Sequence, residues 1–331
     1  MSFKNIHILG GSGFVGTRLI SILKSELNVQ NSDIRKSIKH SDITSIHDIC
    51  HFKAEDIRLK EFDCIVLLAA EHRDDVYPIS KYYKTNVEGT ENVLKQMNRV
   101  GCKHLIFTSS VAVYGLNKNE PNEDSPVDPF NHYGKSKLQA EEVIKKWYDK
   151  DGNNKVVSII RPTVIFGENN RGNVYNLLRQ IVSGRFLMIG NGKNKKSMAY
   201  VGNVVAFIKS RLEKSEPGYH VFNYVDKPDF NMTELTHLIE SKMKMNLSKQ
   251  TIPFWLGMLG GYAFDLLAFF SRKKLSVSSV RVQKFCATTQ FDASKVHDVF
   301  KSPYTLKEGL DKTLEHEFIN KKDDSILFYS E

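Results

Sequence analysis

Tyr133 and Lys137 stand four positions apart in the stretch HYGKSK. With LQAEEVIKKWY following, the stretch reads as the start of an amphipathic helix, where residues i and i+4 share a face. A phenol titrates near ~10 and is a poor base at neutral pH. An ammonium on the same face favours the phenolate, which can then accept a proton from a hydroxyl. The pair alone is also what an ordinary exposed tyrosine and lysine would give, so the surrounding elements must decide.

Three further features bear on it. GGSGFVG places Gly10, Gly13 and Gly16 directly after a short apolar run and at the opening of a helix. In that setting one glycine permits a tight turn, the next lets backbone approach a pyrophosphate, and the third lets helix and strand pack closely. The pyrophosphate then meets the free N–H groups of the helix N-terminus. An acidic residue about 20 positions on would bond a ribose; Asp33 is the candidate, and it favours NAD over NADP, with Arg35 close by to blur the preference. Ser109 and Ser110 sit at the carboxyl end of the run HLIFTSS, where ligands of open α/β sheets bind.

The elements that position these residues are legible. NIHIL, CIVLLAA (64–70), HLIFTSS (104–110) and VVSIIRPTVIFG (156–167) read as buried strands, apolar on both faces. TRLISILKSEL has helical period, and YYKTNVEGTENVLKQMNRVG reads as a helix capped by Gly101. Alternation of such strands with helices predicts an α/β fold with a doubly wound parallel sheet. After Gly167 the chain turns rich in Gly, Asn and Lys, which marks a second, smaller lobe; GYHVFNYV (218–225) has the character to return to the main sheet.

The 331 residues, with 41% hydrophobic and 26% charged content, suffice for a sizeable core. The net charge of +9 is spread along the chain rather than gathered in an arm. That argues against a nucleic-acid binder and suits an anionic small substrate. Cys50, Cys64, Cys102 and Cys286 show neither metal-ligand spacing nor a disulfide framework, so no metal is expected and a reducing compartment is favoured.

Taken in order and spacing, Gly10, Gly13 and Gly16, LLAA (67–70), TNVEGT (85–90), FTSSVAVYG (107–115), YGKSK and RPTVIFG resemble the extended short-chain dehydrogenases/reductases. Within them the chain is similar to the NAD-dependent epimerase/dehydratase branch acting on nucleotide sugars. The resemblance covers residues 1–210 well and the remainder loosely. It implies a Rossmann-type NAD-binding domain over 1–166 and a substrate-binding C-terminal lobe over 167–331, partly interleaved with the first. It implies catalysis by Ser110, Tyr133 and Lys137, with Tyr133 as acid/base, Lys137 depressing its pKa and bonding the nicotinamide ribose, and Ser110 orienting the sugar oxygen. Phe14 and Val15 of the glycine turn, Leu68, Ala69, Ala70 and Pro162 are expected to line the cofactor channel. Asp48 and Ile49 are expected to flank the adenine, and Asn86 to support the nicotinamide half. On the substrate side Asn173, Lys196 and Arg281 fall where diphosphate contacts arise. Many relatives carry Arg-Asp where this chain has Lys196–Ser197, and a lysine lacks the two-pronged geometry of arginine. The loop EHRDDVYP (71–78), with His72 and Arg73, lies close enough to touch substrate or to serve as plain surface. The activity implied is a nucleotide-sugar 4-epimerase working through a 4-keto intermediate; the same residues would serve a reductase of 4-keto sugars. A homodimer is expected.

One segment stands apart. PFWLGMLGGYAFDLLAFF (253–270) is nearly all apolar and is followed by Arg272, Lys273 and Lys274. It is short for a membrane span, which needs about 20 residues, and it contains Asp265 and a glycine pair. A helix packed in the small lobe is the favoured reading; an interfacial helix and a span follow in that order. MSFKNIHILGG runs directly into a strand without a signal peptide, so a cytoplasmic protein is expected, with any membrane contact peripheral and through residues 253–274.

The resemblance carries one negative expectation. The family's dehydratases place an acidic pair before V-Y-G, where this chain has Val111 and Ala112, neither able to donate a proton. Incubation with dTDP-glucose or UDP-GlcNAc is expected to yield no 4-keto-6-deoxy sugar; its detection by mass spectrometry would refute the assignment.

Overall fold

The computed structural model describes residues 4–57, 63–73, 76–116, 118–151, 154–214, 217–247, 251–271, 278–320 and 326–329. Strand β1 (Asn5–Leu9) leads through the glycine turn into α1 (Phe14–Leu23), and the chain returns along β2 (Asn28–Asp33) and β3 (Thr44–Ile46). β4 (Cys64–Leu67) is followed by α2 (Ser80–Tyr83), a π-helical turn at Lys84–Glu88, and α3 (Gly89–Val100). β5 (His104–Thr108) runs into a 3-10 turn, Val111–Tyr114; α4 (His132–Asp149) then leads to β6 (Val156–Pro162) and β7 (Val164–Phe166). The second half contains α5 (Asn173–Val182), β8 (Met188–Ile189), β9 (Lys195–Tyr200), α6 (Val201–Leu212), β10 (Gly218–Tyr224) and β11 (Asp226–Asn231). It closes with α7 (Met232–Met243), β12 (Thr251–Ile252), α8 (Phe254–Ser271), α9 (Ser279–Cys286), α10 (Ser294–Val299) and α11 (Leu306–Leu314).

Seven strands form one parallel sheet in the order β10-β6-β5-β4-β1-β2-β3. β4 and β6 are buried at every position, as strands covered on both faces must be. Alternate residues feed two cores. Ile6, Ile8, Val66 and Ile106 pack with Leu19 of α1 and Phe207 of α6. Leu9, Ile65, Leu67 and Phe107 pack with Val93 of α3 and Ile144 of α4. Strand order reverses around β1, and the crevice that this opens at the carboxyl ends is where such sheets bind ligands. The 7-stranded sheet takes its edge strand β10 from the second half of the chain, and α6 packs beside α1.

Two runs that read as single strands are divided. VVSIIRPTVIFG splits at Thr163: its N–H donates to Tyr224 O and its hydroxyl to Ser197 O, 2.9 Å away. The chain thereby crosses into a small sheet, β11-β9-β7. CIVLLAA leaves the strand at Leu67, because Leu68 N and Ala69 N both donate to Leu9 O and turn the chain across the end of β1. Gly101 closes α3 in the left-handed conformation expected of a helix-ending glycine, with φ 75°.

That crossing explains Gly10. Its φ is +89°, and a Cβ there would lie 2.4 Å from the backbone nitrogen of Ala69. Gly10→Ala must therefore both strain the backbone and push Ala69 aside, at about 1–3 kcal/mol. We expect a lowered Tm and weakened NAD retention; a variant with wild-type values of both would show that the turn tolerates the methyl group.

Candidate active site

The start of helix α4, which carries Tyr133, packs closely on the turn that Ser110 opens. Ser110 caps the Val111–Tyr114 turn, its Oγ accepting from Ala112 N at 3.1 Å. Asn131 caps α4 in turn, accepting from Gly134 N at 2.8 Å. A Cβ on Gly134 would lie 2.6 Å from Ala112 O, so only glycine lets the first turn of α4 rest on the turn that carries Ser110. Tyr133, half-buried, precedes that glycine.

Lys137 follows one turn later and is 2% exposed. Its Nζ donates to Thr108 O at the end of β5, 2.7 Å away, and lies 4.5 Å from the centre of the Phe107 ring. Burial pushes its pKa down to about 7, against the opposing pull of the Glu141 carboxylate. Asn86 is 1% exposed and its amide is fully engaged. It accepts from Glu71 N at 2.8 Å, donates to Glu71 O at 2.9 Å and to Ser136 Oγ at 2.8 Å, and Ser136 Oγ donates to Tyr133 O. Asn86 thus ties the loop after β4 to α4, and any help it gives the nicotinamide half passes through those two elements. His72 sits in that loop, its pKa lowered by burial; residues 74 and 75 of the same loop lie outside the described set.

The glycine turn fits a dinucleotide. Gly16 is obligatory, since a Cβ would meet Gly11 Cα at 2.4 Å, whereas a Cβ on Gly13 would find only Gly10 O, at 3.6 Å. Gly13 therefore faces open space at the start of α1, where no side chain caps the helix and the first turn holds no acidic residue. Such a terminus is suited to an anion. Phe14 and Val15 follow it, half-buried. Leu68, Ala69 and Ala70 lie just past the end of β4, and buried Pro162 ends β6, so these fall on the same edge of the sheet. Asp33 ends β2 and accepts from Ser12 N at 3.0 Å and Arg35 N at 3.1 Å, which holds its carboxylate beside the glycine turn. Asp48 lies exposed after β3 with Cys50 N bonded to it at 2.9 Å; Ile49 is buried against Gly89.

Two groups of residues carry the site without having been singled out from the sequence. Asn31 accepts from Gly11 N at 2.8 Å and donates to Ser12 Oγ and Thr44 Oγ1, fixing the glycine turn to β2 and β3. The signal was its place two before Asp33, hence on the same strand face. Glu141 accepts from Arg161 at 3.0 and 2.6 Å and from Ser109 Oγ. It continues the spacing of Tyr133 and Lys137 by one more turn.

On the substrate side, Lys196 lies on β9 and donates to Lys284 O at 2.8 Å and Thr289 Oγ1 at 3.2 Å, with its pKa lowered by burial to about 8. The carbonyl belongs to the last turn of α9, the helix that also carries Arg281, whose side chain lies outside the described residues. Asn173 opens α5, a separate element, and is exposed. Among the described residues no cluster of His, Cys, Asp or Glu is arranged to hold a metal.

The chain is similar to several proteins of known activity and structure. The sequence profile of the NAD dependent epimerase/dehydratase family matches residues 6–224. The chain is 57% identical, over 99% of each sequence, to the N-acetyl-alpha-D-glucosaminyl-diphospho-ditrans,octacis-undecaprenol 4-epimerase of Escherichia coli O157:H7. It is 29% identical to the UDP-glucose 4-epimerase of Vibrio cholerae over 94% of each. Among solved structures, the UDP-N-acetylglucosamine 4-epimerase of Bacillus cereus superposes with a TM-score of 0.71 at 19% identity, over 98% of this chain and 100% of that one. The UDP-glucuronic acid 4-epimerase of the same organism, in complex with NAD, gives 0.72 at 17% identity, over 94% and 97%.

The buried ammonium has a consequence for stability. The Lys137 pKa is about 7 in the fold against an ordinary 10.5. Between these values the unfolded chain holds the proton and the fold does not, so stability rises with pH across that window. Below it both states are charged and the full cost of burial is present. Removing the amine with Lys137→Met should flatten the rise by up to about 1.4 kcal/mol per pH unit. Urea unfolding of both apo proteins from pH 7 to pH 10 measures this; parallel curves would mean that Lys137 titrates normally.

Proposed function

Since the chain belongs to the NAD-dependent epimerase/dehydratase family, we propose that it inverts carbon 4 of an N-acetylhexosamine carried on a polyprenyl diphosphate. The observation that carries the chemistry is the seating of α4 on the Ser110 turn through Gly134, which sets a tyrosine, a lysine and a serine at the carboxyl end of β5. The substrate class rests on the 57% identity to the undecaprenol-linked 4-epimerase, maintained over the whole of both chains. Similarity to 4-epimerases at high and at low identity favours epimerisation over net reduction of a 4-keto sugar.

NAD, held by the glycine turn, Asp33 and the edge residues already described, supplies the acceptor and donor of the hydride that leaves and rejoins carbon 4. Tyr133 takes the proton of the 4-hydroxyl as that carbon is oxidised, and gives one back to the carbonyl oxygen once the sugar has turned over. In its protonated form Lys137 sets positive charge against the phenol and lowers the cost of the phenolate, which in turn favours the protonated lysine. Ser110 bonds the same sugar oxygen and keeps it in line with the phenol. Lys196, with Asn173 and Arg281, meets the diphosphate; as a single point charge Lys196 accepts several phosphate orientations, which suits a diphosphate whose far side is a lipid rather than a nucleoside. The same reading takes the protein to be cytoplasmic, in peripheral contact with the membrane through residues 253–274, and a homodimer.

The test is turnover of GlcNAc-diphospho-undecaprenol against UDP-GlcNAc by the purified protein, with the sugar released and identified by chromatography. We expect the N-acetylgalactosamine epimer from the lipid-linked substrate at the higher kcat/KM; preference for the UDP sugar would overturn the substrate class. Tyr133→Phe should cost about 10²–10⁴-fold in kcat while NAD still co-purifies. A variant turning over at near wild-type rate would place the proton elsewhere.

A further inference from the structure

Helix α8 is built inside out. The stripe turned toward the protein is mostly small or polar, with Gly257, Gly261, Asp265 and Ala268 at helical spacing and Met258 half-buried beside them. A Cβ on Gly257 would lie 2.6 Å from Ile189 Cγ2, and one on Gly261 would lie 2.7 Å from Ser279 Cα. Asp265 accepts from Ser279 N at 3.2 Å and from Ser279 Oγ at 2.5 Å, so it caps the start of α9 and is no part of the outer surface chemistry. The outward positions carry the large apolar side chains: Trp255 is 64% exposed and Phe269 77%, with Leu259, Tyr262, Leu266 and Phe270 beside them. A helix packed in the small lobe, the reading the sequence favoured, would have buried these residues and shown its polar stripe to water. The narrowness of the inner stripe is the reason it does not: Gly257 and Gly261 bring the backbone of α8 close to β8 and α9 and leave little room there for bulky side chains.

We propose that the outward face of α8 seats the enzyme in the headgroup region of an anionic lipid bilayer, a proposal that rests on the lipid-linked substrate read above. Four observations favour a lipid surface. The helix is 18 residues long with a mean hydropathy of 1.3, about 27 Å of continuous apolar rod. Trp255 and Tyr262 have the amphipathic rings that settle at membrane interfaces. The sequence continues directly into Arg272, Lys273 and Lys274, which suit anionic headgroups. The face is also continuous with the substrate side of the site: α8 packs on α9, and the last turn of α9 accepts from Lys196 Nζ. Seating α8 in the interface therefore holds the diphosphate-binding end at headgroup depth, where the diphosphate of a polyprenol lies. A span is disfavoured by the inner stripe, since crossing the bilayer would strip Asp265 from Ser279 and the glycines from α9.

The experiment is flotation of the full-length enzyme with vesicles of phosphatidylethanolamine and phosphatidylglycerol that contain no sugar lipid. Wild type should float with the vesicles and be released by carbonate. Trp255→Gln, Leu259→Gln and Leu266→Gln combined should lower the partition at least tenfold while retaining NAD and the wild-type circular dichroism. Leu267→Gln with Phe270→Gln, on the same outer face, provides a second variant with the same expected direction. Wild type that stays in solution, or variants that float as it does, overturn the proposal. Release by detergent alone overturns it in favour of a span. A dimer that the substitutions convert to monomer in vesicle-free buffer, with flotation unaffected, overturns it in favour of a second copy of this chain. Because the vesicles carry no substrate, failure here leaves the epimerase reading standing, and failure of the turnover assay leaves vesicle binding standing.

Discussion

The site depends on one costly act, the removal of the Lys137 ammonium from water. A buried charge of this kind costs several kcal/mol unless its surroundings answer it. Here the answers are the Thr108 carbonyl, the face of Phe107 and the carboxylate of Glu141 one turn along α4. Glu141 is itself buried and needs partners, which Arg161 of β6 and Ser109 supply. Arg161 donates onward to Tyr114 Oη at 2.8 Å, and Tyr114 to Asn223 of β10 at 2.7 Å. A network of this kind is worth having only when every member is satisfied. It therefore ties α4, β5, β6 and β10 into one unit, and Tyr133 inherits its position from that unit. It also gives a physical reason for the chain's second half to return to the main sheet: β10 delivers the last acceptor in the series.

Much of this was legible before any coordinates. Strands apolar on both faces announced a covered parallel sheet, and the glycine turn, Asp33, Ser110, Tyr133 and Lys137 fall on its carboxyl edge as their spacing implied. What was not legible is what depends on contacts between segments far apart in sequence. The division of residues 156–167 turns on Thr163 meeting Ser197, and no periodicity within the run records that. Asn86 was expected to support the nicotinamide half; the sequence did not show that its amide bonds Glu71 and Ser136, partners 15 and 50 positions away. Asn31 and Glu141 were overlooked because a polar residue in a strand or on a helix has many uses, and only the fold shows which one applies.

The substrate side is ordered by different physics. Among the described residues no carboxylate pairs with Lys196; its ammonium rests on the carbonyl end of α9 and on Thr289. The C-terminal end of a helix carries partial negative charge and holds a cation without neutralising it. Under the proposed function this leaves the Lys196 charge to an incoming diphosphate, which a carboxylate partner would have competed for. Its neighbour Ser197 donates instead to Asp229 at 2.8 Å, and Asp229 also accepts from Lys227 and Gln290. A carboxylate thus lies beside Ser197, on the neighbouring strand β11.

The two ends of the molecule consequently solve opposite problems. At β5 a charge is taken out of water and surrounded by protein; along α8 apolar side chains are left facing outward and the polar group is taken in. An exposed Leu or Phe is ordinary singly, but a helix face of them left uncovered by the described residues is an apolar patch that calls for a partner. Asp265 shows that this surface is not a packing failure: its carboxylate is turned inward, bonded twice to Ser279, and caps the helix whose other end holds Lys196. One short helix, α9, thus has its N-terminus bonded to Asp265 of the apolar element and its C-terminal turn bonded to the Lys196 ammonium. The proposed membrane face and the proposed diphosphate contact are thus joined through the two ends of α9.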